Sequence, residues 1–262
     1  MKILNTLGKE YPQEARNILK KVGTVEYRAF SRAELLEHVG SYDAVVIGLG
    51  LAFDKEVLEK AKNLKVIATA TTGLDHIDFD EVKKKGIQVL SLRGETKFLN
   101  TITGTAELAA GLMIALLRHV PQAFESVKKY EWNRDAFRGH NLYGQTLGIV
   151  GLGRLGGWMA RYGKAFGMKV IFYDPYIKKS PSGIEKVSFQ KLLQQSDVVS
   201  IHVHLSKDAE GMFGKNEFAR MKKGAVLINT SRGKIVDEEA LFAALAKKEI
   251  AGYATDVLAD EL

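Results

Sequence analysis

Short runs of Val and Ile alternate along this chain with longer amphipathic runs of helical period. That alternation constrains the fold more than any other feature. Strands separated by helices pair in parallel, and a parallel sheet needs helices over both faces. In the first hundred residues the pattern places strands over 2–5, 25–28, 44–47, 66–70 and 89–91. Helices fall between them, over 12–22, 32–39, 54–62 and 78–85. An Ala-, Leu- and Met-rich helix over 103–118 follows, limited downstream by Pro121, and a bridge between domains suits it. Residues 131–144 read as a surface loop. A second series begins at Thr146, with strands over 146–150, 169–173, 198–203, 225–229 and 253–257. Its helices lie over 155–166, 189–194 and 238–248. The expected class is α/β with two parallel-sheet domains, over 1–101 and 102–262.

Composition narrows the classes further. The 262 residues suffice for two modest domains, and 46% hydrophobic with 26% charged content excludes a disordered or fibrous chain. Cysteine is absent. That excludes disulfides, thiolate metal sites and a cysteine nucleophile, and fits a reducing cytoplasm. No metal-ligand set is read. The longest apolar run, around 108–117, falls short of the ~20 residues that span a bilayer. The N-terminus turns polar too early for a signal peptide, so a cytoplasmic, soluble protein is expected. The net charge of +7 is carried by scattered lysine doublets and triplets. Several of them close a helix, where cations complement the dipole. The basic, aromatic-interleaved stripe of a nucleic-acid binder is missing. Neither nucleic acid nor a membrane is expected as a partner.

The run Leu147-Gly148-Ile149-Val150-Gly151-Leu152-Gly153-Arg154-Leu155-Gly156 holds G-x-G-x-x-G where an apolar strand ends and an amphipathic helix begins. In that context Gly151 makes the tight turn, Gly153 lets backbone approach a pyrophosphate, and Gly156 lets the helix pack on the strand. The N–H groups at the helix start, through Arg154 and Leu155, then face the phosphates. Asp174 closes the next strand, about 20 residues on, where a carboxylate meets ribose hydroxyls and repels a 2′-phosphate. This favours NAD over NADP, although Lys178 and Lys179 lie close enough in sequence to weaken the preference. Gly48-Leu49-Gly50 also follows a strand, but Phe53 stands where a third glycine belongs, and it reads as a plain turn.

Beyond this point the sequence resembles the D-isomer-specific 2-hydroxyacid dehydrogenase family. The matching segments are Asn229-Thr230-Ser231-Arg232-Gly233 with Val236-Asp237, and Thr72-Gly73-Leu74-Asp75-His76-Ile77-Asp78. Thr105-Ala106-Glu107, the glycine turn from Gly144 to Arg154, and Thr255-Asp256-Val257 complete the set. They cover essentially the whole chain in family order. The resemblance implies a flavodoxin-like substrate domain and a Rossmann NAD-binding domain with a cleft between them. A hydride then moves between nicotinamide and a 2-keto/D-2-hydroxy acid pair. It implies Arg232 as the cation on the substrate carboxylate and carbonyl, and the N–H groups of Thr72, Gly73 and Leu74 as carboxylate donors. Asp256 then lies near the nicotinamide carboxamide, His202 and Thr230 in the cofactor pocket, and Glu261 matches the glutamate that orients the general acid. The family's proton-donating histidine lies downstream of that glutamate, and the returning C-terminal segment is missing from the 262 residues. None of His38, His76, His119, His140, His202 and His204 takes the histidine's place, and His76 reads as structural. Proline is frequent in the family where His204 stands.

A homodimer is expected from the resemblance. The competing reading is a non-catalytic NAD(H)-binding regulator of the same fold, and a weaker one is a nucleotide-binding module without redox chemistry. Arg93-Gly94-Glu95-Thr96-Lys97 reads first as a solvated loop, and second as a source of cations for another acidic group on the substrate.

Overall fold

The computed structural model describes residues 1–8, 11–133 and 135–259. The chain forms two compact units, Met1–Leu99 and the residues from Asn100 onward.

The first unit runs β1 (Lys2–Asn5), α1 (Gln13–Lys20), β2 (Thr24–Tyr27), α2 (Arg32–His38), β3 (Ala44–Ile47) and α3 (Lys55–Lys60). It continues through β4 (Val66–Thr69), α4 (Phe79–Lys84), β5 (Gln88–Leu90) and α5 (Thr96–Leu99). The sheet order is β2-β1-β3-β4-β5, with every pair parallel. This is the flavodoxin-like order, whose direction reverses between β1 and β3. Alternate residues feed opposite faces. Leu4, Val45, Ile47 and Ile67 pack with Leu35, Val57, Leu58 and Val82 from the helices, while Ile3, Ala44 and Val46 face Leu19 and Tyr11. The helices begin where a polar side chain can take the orphaned N–H groups. Ser31 and Glu34 form a reciprocal capping box, and Asp54 and Asp78 cap α3 and α4.

The second unit opens with two helices, α6 (Gly104–Leu117) and α7 (Val120–Lys128). It continues with β6 (Thr146–Val150), α8 (Arg154–Ala165), β7 (Lys169–Tyr173), β8 (Glu185–Lys186), α9 (Phe189–Gln195) and β9 (Val198–Ile201). Then come α10 (Lys215–Arg220), β10 (Val226–Asn229), α11 (Glu238–Ala246) and β11 (Gly252–Thr255). The parallel order is β11-β10-β9-β6-β7-β8. It is the Rossmann order, and its direction reverses between β6 and β9. Leu147 and Ile149 of β6 meet Met113 of α6 and Met159 of α8 on one face. Val150 meets Leu192, Phe218 and Leu241 on the other. Both faces are therefore apolar, which is why these strands read as unbroken hydrophobic runs.

Several features depart from the pattern-based reading, among them α5 and β8, which are too short to show a period. Pro121 does not only limit the helix before it. It stands in the first turn of α7, where its missing N–H costs nothing. Six-residue α10 was also not expected, because only Phe218 of it is buried and so short an element shows no period. The segment Thr96–Leu117 is longer and more apolar than the 108–117 run suggests, enough by length and composition to cross a membrane. Residues 100–103 break its helix, and Ala109, Ala110, Met113 and Leu117 of α6 bury one face in the core of the second unit.

Candidate functional site

The loops after β7, β6, β9, β10 and β11 leave the same carboxyl edge of the second sheet, where ligands of open α/β sheets gather. Hydrogen bonds join them into a band. Asp174, at the end of β7, is 8% exposed. Its Oδ2 accepts from Leu152 N (3.0 Å), and its Oδ1 accepts from Tyr176 N (2.8 Å) and Ile177 N (3.3 Å). Asp174 thus pins the glycine turn to the neighbouring strand end. The Ser231 hydroxyl donates to Ile201 O (2.8 Å), tying the β10 loop to β9. The Thr255 hydroxyl lies 2.8 Å from Asn229 O, tying β11 to β10.

The three glycines do different work. Gly151 has φ +88°, and a Cβ there would lie 2.7 Å from His202 O. A Cβ on Gly156 would lie 2.1 Å from Gly151 O, so this glycine is required for the helix to sit on its strand. Gly153 is different: a Cβ there would meet nothing within 4 Å, and the residue N-caps α8 without a side-chain acceptor. The fold does not need a glycine at 153, whereas a phosphate resting on the α8 N-terminus does. Thr230 Oγ1, buried at the same edge, has no hydrogen-bond partner. An open cradle and an orphaned buried hydroxyl on the same carboxyl edge fit a dinucleotide, which spans several strand ends. Arg154 and Leu155 occupy the first turn of α8, and Arg154 Nη1 donates to Ile102 O.

Arg232 is half-buried in the loop after β10, and its Nη1 donates to Ser231 O (2.8 Å). The loop around it is held by Asn229, which is fully buried. Asn229 Nδ2 donates to Arg232 O (3.0 Å) and to Tyr253 OH (3.3 Å), and Oδ1 accepts from Ser231 N (3.0 Å). Burial pushes the Tyr253 phenol up. Sequence reasoning missed this network. Asn229 stood in a quoted motif, but nothing in the sequence marks Tyr253 as its partner. His202 lies just past β9 with Nε2 2.9 Å from Ser200 Oγ. Burial brings its imidazole down to about 4, so the ring is neutral near pH 7. Asp256 is exposed in the turn after β11, which Thr255 Oγ1 closes by accepting from Val257 N.

Thr72, Gly73 and Leu74 leave the carboxyl edge of the first sheet after β4. Thr71 Oγ1 donates to Gly73 O (2.8 Å), and Ile77 N donates to Leu74 O. His76 is 6% exposed, and its carbonyl accepts from Phe53 N (2.7 Å). Glu261 lies outside the described residues. Among the described residues no group of three His, Cys, Asp or Glu side chains could hold a metal ion.

Two family models match the chain. The D-isomer specific 2-hydroxyacid dehydrogenase catalytic domain covers residues 3–137, and the NAD binding domain of the same enzymes covers residues 110–262. D-3-phosphoglycerate dehydrogenase of Methanocaldococcus jannaschii is 39% identical over 95% of this chain and 48% of its own length. The chain spans about half the length of such relatives. Glyoxylate reductase of Thermococcus litoralis is 39% identical over 97% of this chain and 80% of its own length. The crystal structure of D-lactate dehydrogenase from Aquifex aeolicus, complexed with NAD and lactic acid, superposes with a TM-score of 0.87. It is 30% identical, over 100% of this chain and 78% of the other. The chain belongs to the D-isomer specific 2-hydroxyacid dehydrogenase family.

Proposed function

We propose that this protein is an NAD-dependent oxidoreductase acting on a 2-keto/D-2-hydroxy acid pair. The observation that carries the reading is Gly153: a glycine the fold does not require, at the uncapped start of α8, on the same sheet edge as the orphaned Thr230 hydroxyl. In this reading the turn from Gly151 to Gly156, with Arg154 and Leu155, holds the diphosphate. Asp174 meets the adenosine ribose, while His202, Thr230 and Asp256 line the rest of the cofactor site. When bound, the nicotinamide supplies or takes the hydride. The chain's own residues handle the acid. The Arg232 guanidinium forks onto the substrate carboxylate and carbonyl oxygen, stabilising charge as it develops. The N–H groups of Thr72, Gly73 and Leu74 hold the carboxylate, and Glu261 stands where the family's glutamate orients a general acid. The 1–101 segment serves the substrate and 102–262 the cofactor.

The reading extends to a cytoplasmic homodimer that needs neither nucleic acid nor a membrane. Phe124 and Val127 on α7, 62% and 61% exposed, and Trp132 just beyond, 88% exposed, give a second copy an apolar face to cover. NADH oxidation with glyoxylate, hydroxypyruvate and pyruvate tests the activity. Turnover that falls by about 10²- to 10³-fold in Arg232→Lys supports it, because a lysine cannot fork. Unchanged turnover in that variant overturns the role of Arg232.

A further inference from the structure

The carboxyl edge of the first sheet carries few cations, and those that follow β2 are engaged. Arg28 after β2 pairs with Glu34 at 2.6 Å and stacks on Phe30. Arg32 at the start of α2 pairs with Asp54 (2.6 Å) and Glu56 (2.8 Å). The described loops after β1 and β3 hold no Lys or Arg, and the loop after β4 holds only the buried His76. The loop after β5 holds Arg93, exposed and without a carboxylate partner among the described residues, and exposed Lys97 follows it in α5, past the turn.

Its backbone is fixed. Glu95 N donates to Leu92 O (3.1 Å), Gly94 has φ +98°, and Arg93 N donates to Ser91 Oγ (3.3 Å). Such a turn needs φ > 0 at its third position, which glycine supplies, and it sets Arg93 at its second. Buried Leu99 of α5 then ties the segment down. β5 pairs with β4, with Leu90 opposite Ala68, and adjacent strands lie about 4.8 Å apart. The Arg93 turn and the Thr72-Gly73-Leu74 loop therefore leave neighbouring strand ends.

We infer that Arg93 is a substrate-specificity residue. It binds a second anionic group, carboxylate or phosphate, on a 2-keto acid whose own carboxylate sits at Thr72–Leu74. This rests on the proposed role of that loop. A guanidinium that meets no internal carboxylate is free to fork onto either anion.

The test is calorimetry on the full chain with NAD, comparing D-glycerate, 3-phosphoglycerate and D-malate, with Arg93→Gln as the variant. The expected result is that 3-phosphoglycerate, D-malate or both bind the unaltered protein about 10- to 100-fold more tightly than D-glycerate. Arg93→Gln abolishes that preference and leaves D-glycerate affinity within about twofold. The phosphate and carboxylate arms show which anion is taken. Equal affinity for all three ligands, or a preference that survives in Arg93→Gln, overturns the inference. An NADH titration run alongside separates the two claims. Absence of NADH binding overturns the proposed dehydrogenase, while NADH binding with no anion preference overturns only Arg93.

Discussion

Three residues at the Rossmann edge, Gly153, Gly156 and His202, have effects that turn on single atoms. Gly153→Ala adds a methyl group to open space and, with φ of −74°, costs no backbone strain. It is expected to leave the melting temperature unchanged while weakening NADH binding at least about tenfold. Gly156→Ala, whose Cβ would collide with Gly151 O, is expected to destabilise the protein itself. Melting curves with and without NADH separate the two. His202 gives a pH signature. Burial lowers its folded value to about 4, from an ordinary 6.5. Between those values the unfolded chain binds a proton that the folded chain refuses, so stability is lost as pH falls from 6.5 toward 4. His202→Gln keeps a polar partner for Ser200 and cannot titrate, so its denaturant midpoint should fall less over that window. An unchanged acid limb would contradict a neutral His202.

At the scale of elements, the end of β10 is held by contacts that come from far along the chain. Asn229→Ala removes the acceptor for Ser231 N and the donor to Arg232 O and Tyr253 OH. Leaving those groups unpaired should cost about 1–3 kcal/mol of stability. KM for the 2-keto acid should rise more than kcat falls, because the Arg232 loop loosens. β6 and β10 were readable in the sequence because both faces of each are buried, which leaves an uninterrupted apolar run. The glycine turn was readable because its spacing is local. The Asn229–Tyr253 bond was not, because it joins residues 24 apart through register that only the folded sheet creates. α7 was missed because Pro121 marks the start of a helix as readily as the end of one.

At the scale of the molecule, each unit has apolar clusters on both faces of its own sheet, and each sheet reverses direction at a different strand pair. The apolar face of α7 makes the proposed assembly testable: light scattering should give twice 29 kDa, and Phe124→Asp should return the mass to 29 kDa. A monomeric unaltered protein would remove the proposed dimer without touching the cofactor site. The proposed activity requires that the carboxyl edge of the second sheet bind a nicotinamide dinucleotide. Amide hydrogen exchange with and without NADH tests it most directly. Bound NADH should slow exchange at residues 151–157, 174–177 and 230–232. No NADH-dependent protection there, or protection confined to other segments, would contradict it.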